Sequence, residues 1–437
     1  MSEEQKNYIL INNQKQLLEI TTESNITIKG RIHSIRDLKR NAFVVLRFKD
    51  LTIQCVVFKK NKINTDIPKE SIVEIKGKYQ KADPIIKSCS VTDYEIIVEE
   101  IQIISKSNPI LPFFITDADN DTVTLETKLA TPWLNFRTKE AKTVARVKSQ
   151  TCQLFRNYLI NNDFIEIHTP KIIGSKSEGG SEVFSIKYFD KDAYLAQSPQ
   201  LYKQMAINGD YDKVFEIGSV FRAEPFTHNR HLCEFVTMDV EMTINEYQDV
   251  IDLACKLLYC MVNELNALNP NDANPVVNNI PIIAYPEAIK ILRENNIQVD
   301  DLDDMSSAYE AILGTYVKTK YNEDIFVLNK YPTKIRPFYT KKSSDVGYAN
   351  AFDIIFRGQE ISSGAQRENN YETLIQQVTD KGIDPNSLKH YLESFSLGSD
   401  YHGGFAIGLD RFVSLYLGLN NVRKVTFLIR DPQTLEP

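Results

Sequence analysis

The chain has little cysteine, and what it has follows no pattern. Cys55, Cys89, Cys152, Cys233, Cys255 and Cys260 include no CxxC pair and sit mostly in apolar runs. That distribution predicts buried, reduced thiols and argues against both a zinc site and a disulfide framework. The opening MSEEQKNYILI has no basic leader region and no small-residue cleavage site. No apolar run approaches the roughly 18 residues of a spanning helix. A cytosolic protein with no membrane partner is therefore expected. Internal repeats and low-complexity segments are missing too. The net charge of −7 excludes a protein that binds a polyanion along its whole length.

What is present is ordinary globular material: 437 residues, 42% hydrophobic and 25% charged, a length that suits two or three domains. Charge is not spread evenly. Residues 25–62 hold ten Lys or Arg against two Asp, so a basic module is attached to an acidic body. Such a module suits docking of a nucleic acid at one end of an enzyme, although a solvated charged face gives the same count. Residues 25–105 alternate in the strand manner, as ITIKGRIHSI, AFVVLRF, LTIQCVVF, SIVEIKGKYQ and YEIIVEEIQII, with short polar turns between. Five strands in that length predict a small closed barrel, with the OB-fold as the size-matched choice.

Residues 106–138 contain Pro109, Pro112, Pro132 and an acidic DADNDT stretch, which reads as a hinge. From residue 139 to 161 the apolar positions Val144, Val147, Leu154, Phe155 and Tyr158 recur at helical spacing, followed by FIEIHTPKI, a strand closed by Pro170. Residues 245–330 read mainly as helices inserted before the final strands.

Two stretches carry the sharpest signal. FEIGSVFRAEPFTHNRHLCEF (Phe215 to Phe235) reads as strand, charged loop and strand, with Arg222, His228, Arg230 and His231 in or beside the loop. GGFAIGLDRF (Gly403 to Phe412) places glycines where backbone or ligand can approach closely, then Arg411 at the start of an apolar periodic segment. Arginine's planar, permanent charge suits phosphate. In this order the two stretches resemble motifs 2 and 3 of the class II aminoacyl-tRNA synthetases, and the helix and strand from residue 139 to 170 resemble motif 1, the dimer-forming element of that class. SEGGSEVF (177–184), LAQSPQLYKQ (195–204), FVTMDVEM (235–242) and ISSGAQR (361–367) narrow the resemblance to the aspartate-specific branch, of archaeal and eukaryotic cytosolic type, over residues 25–437.

The resemblance implies an α+β chain: an N-terminal OB-fold β-barrel for the anticodon (1–105), a hinge (106–138), and a catalytic domain (139–437) built on an antiparallel β-sheet flanked by helices. It implies a homodimer that uses ATP and Mg²⁺ to join L-aspartate to tRNA(Asp). Arg222, Arg411 and Glu360 would be the catalytic residues. Glu178, Gln200, Lys203, Arg222, Asp239, Ser363 and Arg367 would bind aspartate, with Arg367 and Lys203 on its side-chain carboxylate. Arg222, Ala223, Glu224, Arg230, His231, Leu232, Phe235, Glu360, Gly408, Leu409, Asp410 and Arg411 would bind ATP, Phe235 by stacking on adenine. Glu360 and Ser363 would hold the metal, and Phe43, Gln54 and Glu95 would read anticodon bases. Phe405-Ala406 replace two glycines usual in the family, which points to a narrower ATP bed. Alternatives are an asparaginyl or lysyl sibling, a catalytically silent RNA-binding paralogue, and a tRNA-independent amino-acid ligase.

Overall fold

Period-two burial builds the first unit. A computed structural model describes residues 7–175, 183–271 and 273–437. Its contacts divide the chain into two compact units, Met1–Lys139 and Glu140–Pro437. In the first, β1 (Ile9–Ile11) and α1 (Gln14–Glu19) precede five barrel strands: β2 (Ser24–Asp37), β3 (Asn41–Phe48), β4 (Leu51–Phe58), β5 (Ile72–Lys81) and β6 (Tyr94–Ser105). β2 pairs with β3 and β5, β3 with β4, β4 with β6 in parallel, and β6 with β5, so the sheet closes on itself. Closure removes free edges, and alternate residues such as Ile28, Val44, Leu46, Ile53, Val73, Ile96 and Val98 fill the interior.

The stretch expected as a hinge contains three short helices, α2 (Ile115–Asp119), α3 (Leu125–Ala130) and α4 (Pro132–Asn135). α2 and α4 share a small core of Phe113, Ile115, Ala118 and Leu134. A buried ion cluster ties this segment to the barrel: Glu70 takes a two-pronged contact from Arg47 at 2.9 and 2.6 Å and a third from Arg137 at 2.8 Å. Burial pushes the Glu70 carboxyl up, but the two guanidinium groups outweigh it and hold it below the usual carboxylate range.

The second unit begins with α5 (Lys139–Ile160), whose buried stripe is Val144, Val147, Thr151, Phe155 and Leu159. The strand expected after it is only two residues long, β7 (Ile165–Glu166), because it pairs with its neighbour only at these positions. β8 (Ile172–Ile173), β9 (Ser185–Tyr188) and β10 (Lys191–Leu195) make a small antiparallel sheet, followed by α6 (Gln200–Asn208). Then come β11 (Lys213–Phe221), β12 (Glu234–Thr243), α7 (Gln248–Leu268), β13 (Ile282–Ala284), α8 (Tyr285–Glu294), α9 (Ser307–Tyr321) and β14 (Ile325–Asn329). The chain closes with β15 (Ala351–Phe356), β16 (Gln359–Gln366), α10 (Tyr371–Asp380), α11 (Lys389–Ser396), β17 (His402–Gly408) and α12 (Leu409–Tyr416).

Among the described residues these strands form a large sheet in the order β13-β14-β15-β16-β17-β12-β11-β7, antiparallel except for the pair at each edge. The fold is α+β, as expected. The segment read as a helical insertion is built into this sheet. α7 lays Val250, Ile251, Ala254, Leu257, Leu258, Met261 and Leu265 into the main core, and β13 and β14 extend the edge. So continuous an apolar face needs the sheet to cover it.

Candidate active site

One face of β12, β16 and β17 is apolar and packs on α5 and α7; the other lines a cavity of about 350 Å³. Alternation decides which side chains enter it. On β17, Phe405 is fully buried in the core while Ala406 faces the cavity. The Phe405 ring therefore packs against Phe352, away from the cavity, and only Ala406 of the two substituted positions faces it.

Of the residues assigned from sequence, Gln200, Lys203, Arg222, Glu224, Arg230, His231, Leu232, Phe235, Asp239, Glu360, Ser363, Arg367, Gly408, Asp410 and Arg411 all line this cavity. Leu409 is instead a core residue beneath it. Ala223 joins two lining residues in the loop after β11. Glu178 lies outside the described residues.

At one end sits a buried ion network. Arg367, at the end of β16, grips Glu241 of β12 through Nε at 2.8 Å and Nη2 at 3.0 Å. Lys203 on α6 reaches Asp239 at 3.1 Å, the Val240 carbonyl at 3.3 Å and Glu241 at 3.4 Å. All four side chains are at most 5% exposed. Burial drives the Glu241 carboxyl up, but Arg367 and Lys203 outweigh it, so it stays ionised below the usual range. Asp239 Oδ2 is buried and accepts no hydrogen bond among the described residues, an acceptor available to a cationic ligand. Gln200 donates to Gln204 at 2.9 Å, and Gln204 also meets Tyr391 and His402, so the floor of this end is a connected polar layer. Gly404 is obligatory here: any Cβ would collide with the Val240 carbonyl and the Glu241 carboxylate.

The other end is electropositive. Arg222 lies over the Phe235 ring, 5.4 Å from its centroid. Arg411, on the first turn of α12, donates to the carbonyls of Glu360 at 2.7 Å and Arg230 at 3.2 Å. Burial, then Arg411, His228, Arg230 and Arg222, push the His231 imidazole down to about 4. A neutral histidine surrounded by arginines marks a place suited to anions. Asp410, by contrast, is engaged: Lys148 at 2.6 Å and Thr426 at 3.0 Å hold its carboxylate and fix the start of α12.

Between the ends, Asp353 on β15 and Ser363 on β16 are direct cross-strand partners. Arg336 bridges them, meeting Asp353 at 3.0 and 2.8 Å and donating to Ser363 Oγ at 2.9 Å. The Glu360 carboxyl is pushed up to about 7, first by burial, then by Asp353 and Glu310, with Arg411 and Arg336 opposing. Carboxylates crowded beside a hydroxyl are what a hard cation relieves, so Glu360, Asp353 and Ser363 fit Mg²⁺. No group of three His, Cys, Asp or Glu side chains is arranged as a closed metal cage among the described residues. A Mg²⁺ site completed by substrate phosphates needs none.

Sequence reading missed Glu241, Asp353, Arg336 and Glu310. Glu241 was accessible: it stands two residues after Asp239 on a strand and so shares its face. Asp353, a lone carboxylate inside AFDIIF, also stood out. Arg336 and Glu310 carried no local signal, since their partners are 17 or more residues away.

In the barrel, Phe43, Gln54 and Glu95 all occupy outward positions of their strands, between inward neighbours such as Ala42, Val44, Ile53, Cys55 and Ile96. Gln54 donates to Glu95 at 3.0 Å, and the Arg36 guanidinium lies 5.0 Å from the Phe43 centroid. Arg31 is drawn inward, donating to the Glu70 carbonyl at 2.9 Å.

A family model described as tRNA synthetases class II (D, K and N) matches residues 124–431, and one described as OB-fold nucleic acid binding domain matches 26–104. The chain is 38% identical to the cytoplasmic aspartate–tRNA ligase of Caenorhabditis elegans, over 97% of this chain and 86% of that protein. The solved aspartyl-tRNA synthetase of Entamoeba histolytica shares 36% identity at a TM-score of 0.89, covering 99% of this chain and 93% of its own. An asparaginyl-tRNA synthetase from Pyrococcus horikoshii, solved with asparaginyl-adenylate, shares 27% identity at a TM-score of 0.86, covering 95% and 97%.

Proposed function

The chain belongs to the class II tRNA synthetases that serve aspartate, lysine and asparagine, and from that premise we propose that it is a cytosolic aspartate–tRNA ligase. The observation that carries the choice of aspartate is the buried Lys203–Arg367 pair facing the amino-acid end of the cavity. Two enclosed cations that can only donate match the acceptor oxygens of a side-chain carboxylate, whereas an asparagine side chain would turn an amide NH2, itself a donor, toward one of them. Asp239 Oδ2 then accepts from the substrate ammonium.

The reaction has two steps and uses no protein nucleophile. The aspartate α-carboxylate attacks the α-phosphorus of ATP; the bond to the bridging oxygen breaks and pyrophosphate leaves. The terminal ribose hydroxyl of the tRNA then attacks the carbonyl of the mixed anhydride, and AMP departs. Arg222 spans the attacking carboxylate and the α-phosphate, holding two anions in line. Arg411, fixed by two carbonyls, faces the pyrophosphate end and stabilises charge as it develops there. Phe235 offers adenine an aromatic face. Glu360, Asp353 and Ser363 would hold Mg²⁺, which when bound supplies positive charge against the phosphates.

On the barrel, Phe43 stacks a base while Gln54 and Glu95 select by hydrogen bonds, and the exposed Lys29 and Arg36 meet phosphates. The chain pairs as a homodimer through the α5–β7 region, where Ile160, Ile165 and Ile172 are each about half exposed. Sedimentation should give about twice 50.1 kDa; a strictly monomeric active enzyme contradicts the pairing. The test of the whole reading is charging of an aspartate tRNA transcript with labelled aspartate. Wild type should charge it, and Gln54→Ala should charge it less and discriminate less against a changed anticodon base. Absence of charging in the wild type would refute the ligase reading.

A further inference from the structure

Helix α9 packs on the face of the sheet that carries the cavity, opposite α7, with Leu313 and Val317 in one cluster with Ala351 and Ala365. Ser307, Glu310 and Gly314 are spaced three and four residues apart along it and so lie in one row, exposed at Ser307, buried at Glu310 and half-buried at Gly314. Gly314 rests directly on the backbone of Gly358, where an added Cβ would come within 2.6 Å of the Gly358 Cα. Gly358 sits in the two-residue turn between β15 and β16, just before Glu360, so α9 is seated on the hairpin that carries the carboxylate of the metal site.

Glu310 uses that seat to hold the β11–β12 loop and strand β16 at once. Its Oε2 accepts from Arg230 Nη2 at 2.7 Å and from the Glu360 main-chain N–H at 3.1 Å. Ser307 accepts from the other arm of the same guanidinium. The residues that Glu310 holds, Arg230 and Glu360, are the two whose carbonyls clamp Arg411. One carboxylate on α9 thus fixes both supports of the arginine that faces the phosphates.

We infer that Glu310 is a positioning residue for nucleotide: it sets the geometry of Arg411 through Arg230 and Glu360, and so couples ATP binding to the seating of α9 on the β15–β16 hairpin. The inference rests on the reading of this cavity end as the ATP site. Glu310 touches neither substrate. Its effect belongs to ATP and leaves the amino-acid end, where Lys203, Arg367, Asp239 and Glu241 form a separate network, as it was. Coupling is reciprocal, so bound nucleotide must also hold α9 more firmly in place.

The test uses the full-length protein with Mg²⁺·ATP as the probe. Glu310→Gln keeps an acceptor for the Glu360 N–H but loses the charge that holds Arg230. It should weaken ATP binding, measured by calorimetry, about tenfold or more, since a buried charge partner is removed. The aspartate KM in pyrophosphate exchange should stay within about twofold. Hydrogen exchange of residues 307–321 should slow when Mg²⁺·ATP is added to wild type and change much less in the variant. Unchanged ATP affinity in folded Glu310→Gln, or an aspartate KM that rises in step with the ATP KM, overturns the inference. Should Glu310→Gln not fold, Ser307→Ala removes only one hydrogen bond to Arg230. It should cost about threefold in ATP affinity with aspartate unaffected, and no loss overturns the inference equally. A wild type that binds ATP but gives no aspartate-dependent exchange would count against the ligase reading while leaving the role of Glu310 in nucleotide binding open to the calorimetric result.

Discussion

The two ends of the cavity hold their cations differently. At the amino-acid end Arg367 and Lys203 are matched by Glu241 and Asp239 on a single strand, and all four are enclosed. At the nucleotide end Arg411 is held by main-chain carbonyls, which fix its direction without cancelling its charge. The first arrangement is rigid and balanced before substrate arrives, which suits discrimination between side chains of similar shape. The second leaves positive charge to be met by phosphates, which suits stabilising charge that appears only during reaction.

This contrast can be broken at either end. The largest effect is expected between the two, at Glu360. Glu360→Gln removes a carboxylate from the Mg²⁺-fitting set and should abolish adenylate formation, while tRNA binding measured by filter retention stays near normal. Parallel loss of both would mean the variant had misfolded. Next is Arg367→Leu, which breaks the balanced end. It should lower kcat/KM for aspartate by about 2–5 kcal/mol, with the ATP KM within about twofold. If both substrates suffer alike, the two ends are not independent.

The strand–loop–strand around Arg222 and the glycine-rich strand leading to Arg411 were legible because their residues are contiguous and alternate cleanly. The outward placement of Phe43, Gln54 and Glu95 follows from the same period of two. What the sequence concealed is pairing across distance. Glu241 holds Arg367 across 126 positions, and Arg336 reaches Asp353 from an irregular segment between two prolines. Tertiary cover was not legible either: residues 106–138 include short helices on a small core, and α7 packs into the main core.

The smallest effect sharpens the contrast from outside the site. Glu70 in the barrel unit is another buried carboxylate held by arginines, and it is not among the residues that line the active-site cavity. Its folded pKa is depressed, so its stabilisation is present above the unfolded value of about 4.3 and is lost as pH falls through the lower folded value. Glu70→Gln should destabilise the barrel by about 3 kcal/mol at pH 7, read as faster hydrogen exchange in β2 and β3. The gap from wild type should shrink below about pH 4 while pyrophosphate exchange at pH 7 is retained. A gap that is constant with pH would remove the ionic account of this cluster.

The central claim is that the balanced amino-acid end selects aspartate. Its most direct test is ATP–pyrophosphate exchange with the wild-type protein, run in parallel with aspartate, asparagine and lysine. Exchange should depend on aspartate, with asparagine and lysine near background, because only a side-chain carboxylate offers acceptor oxygens to both Lys203 and Arg367. Exchange with asparagine equal to that with aspartate would contradict the account.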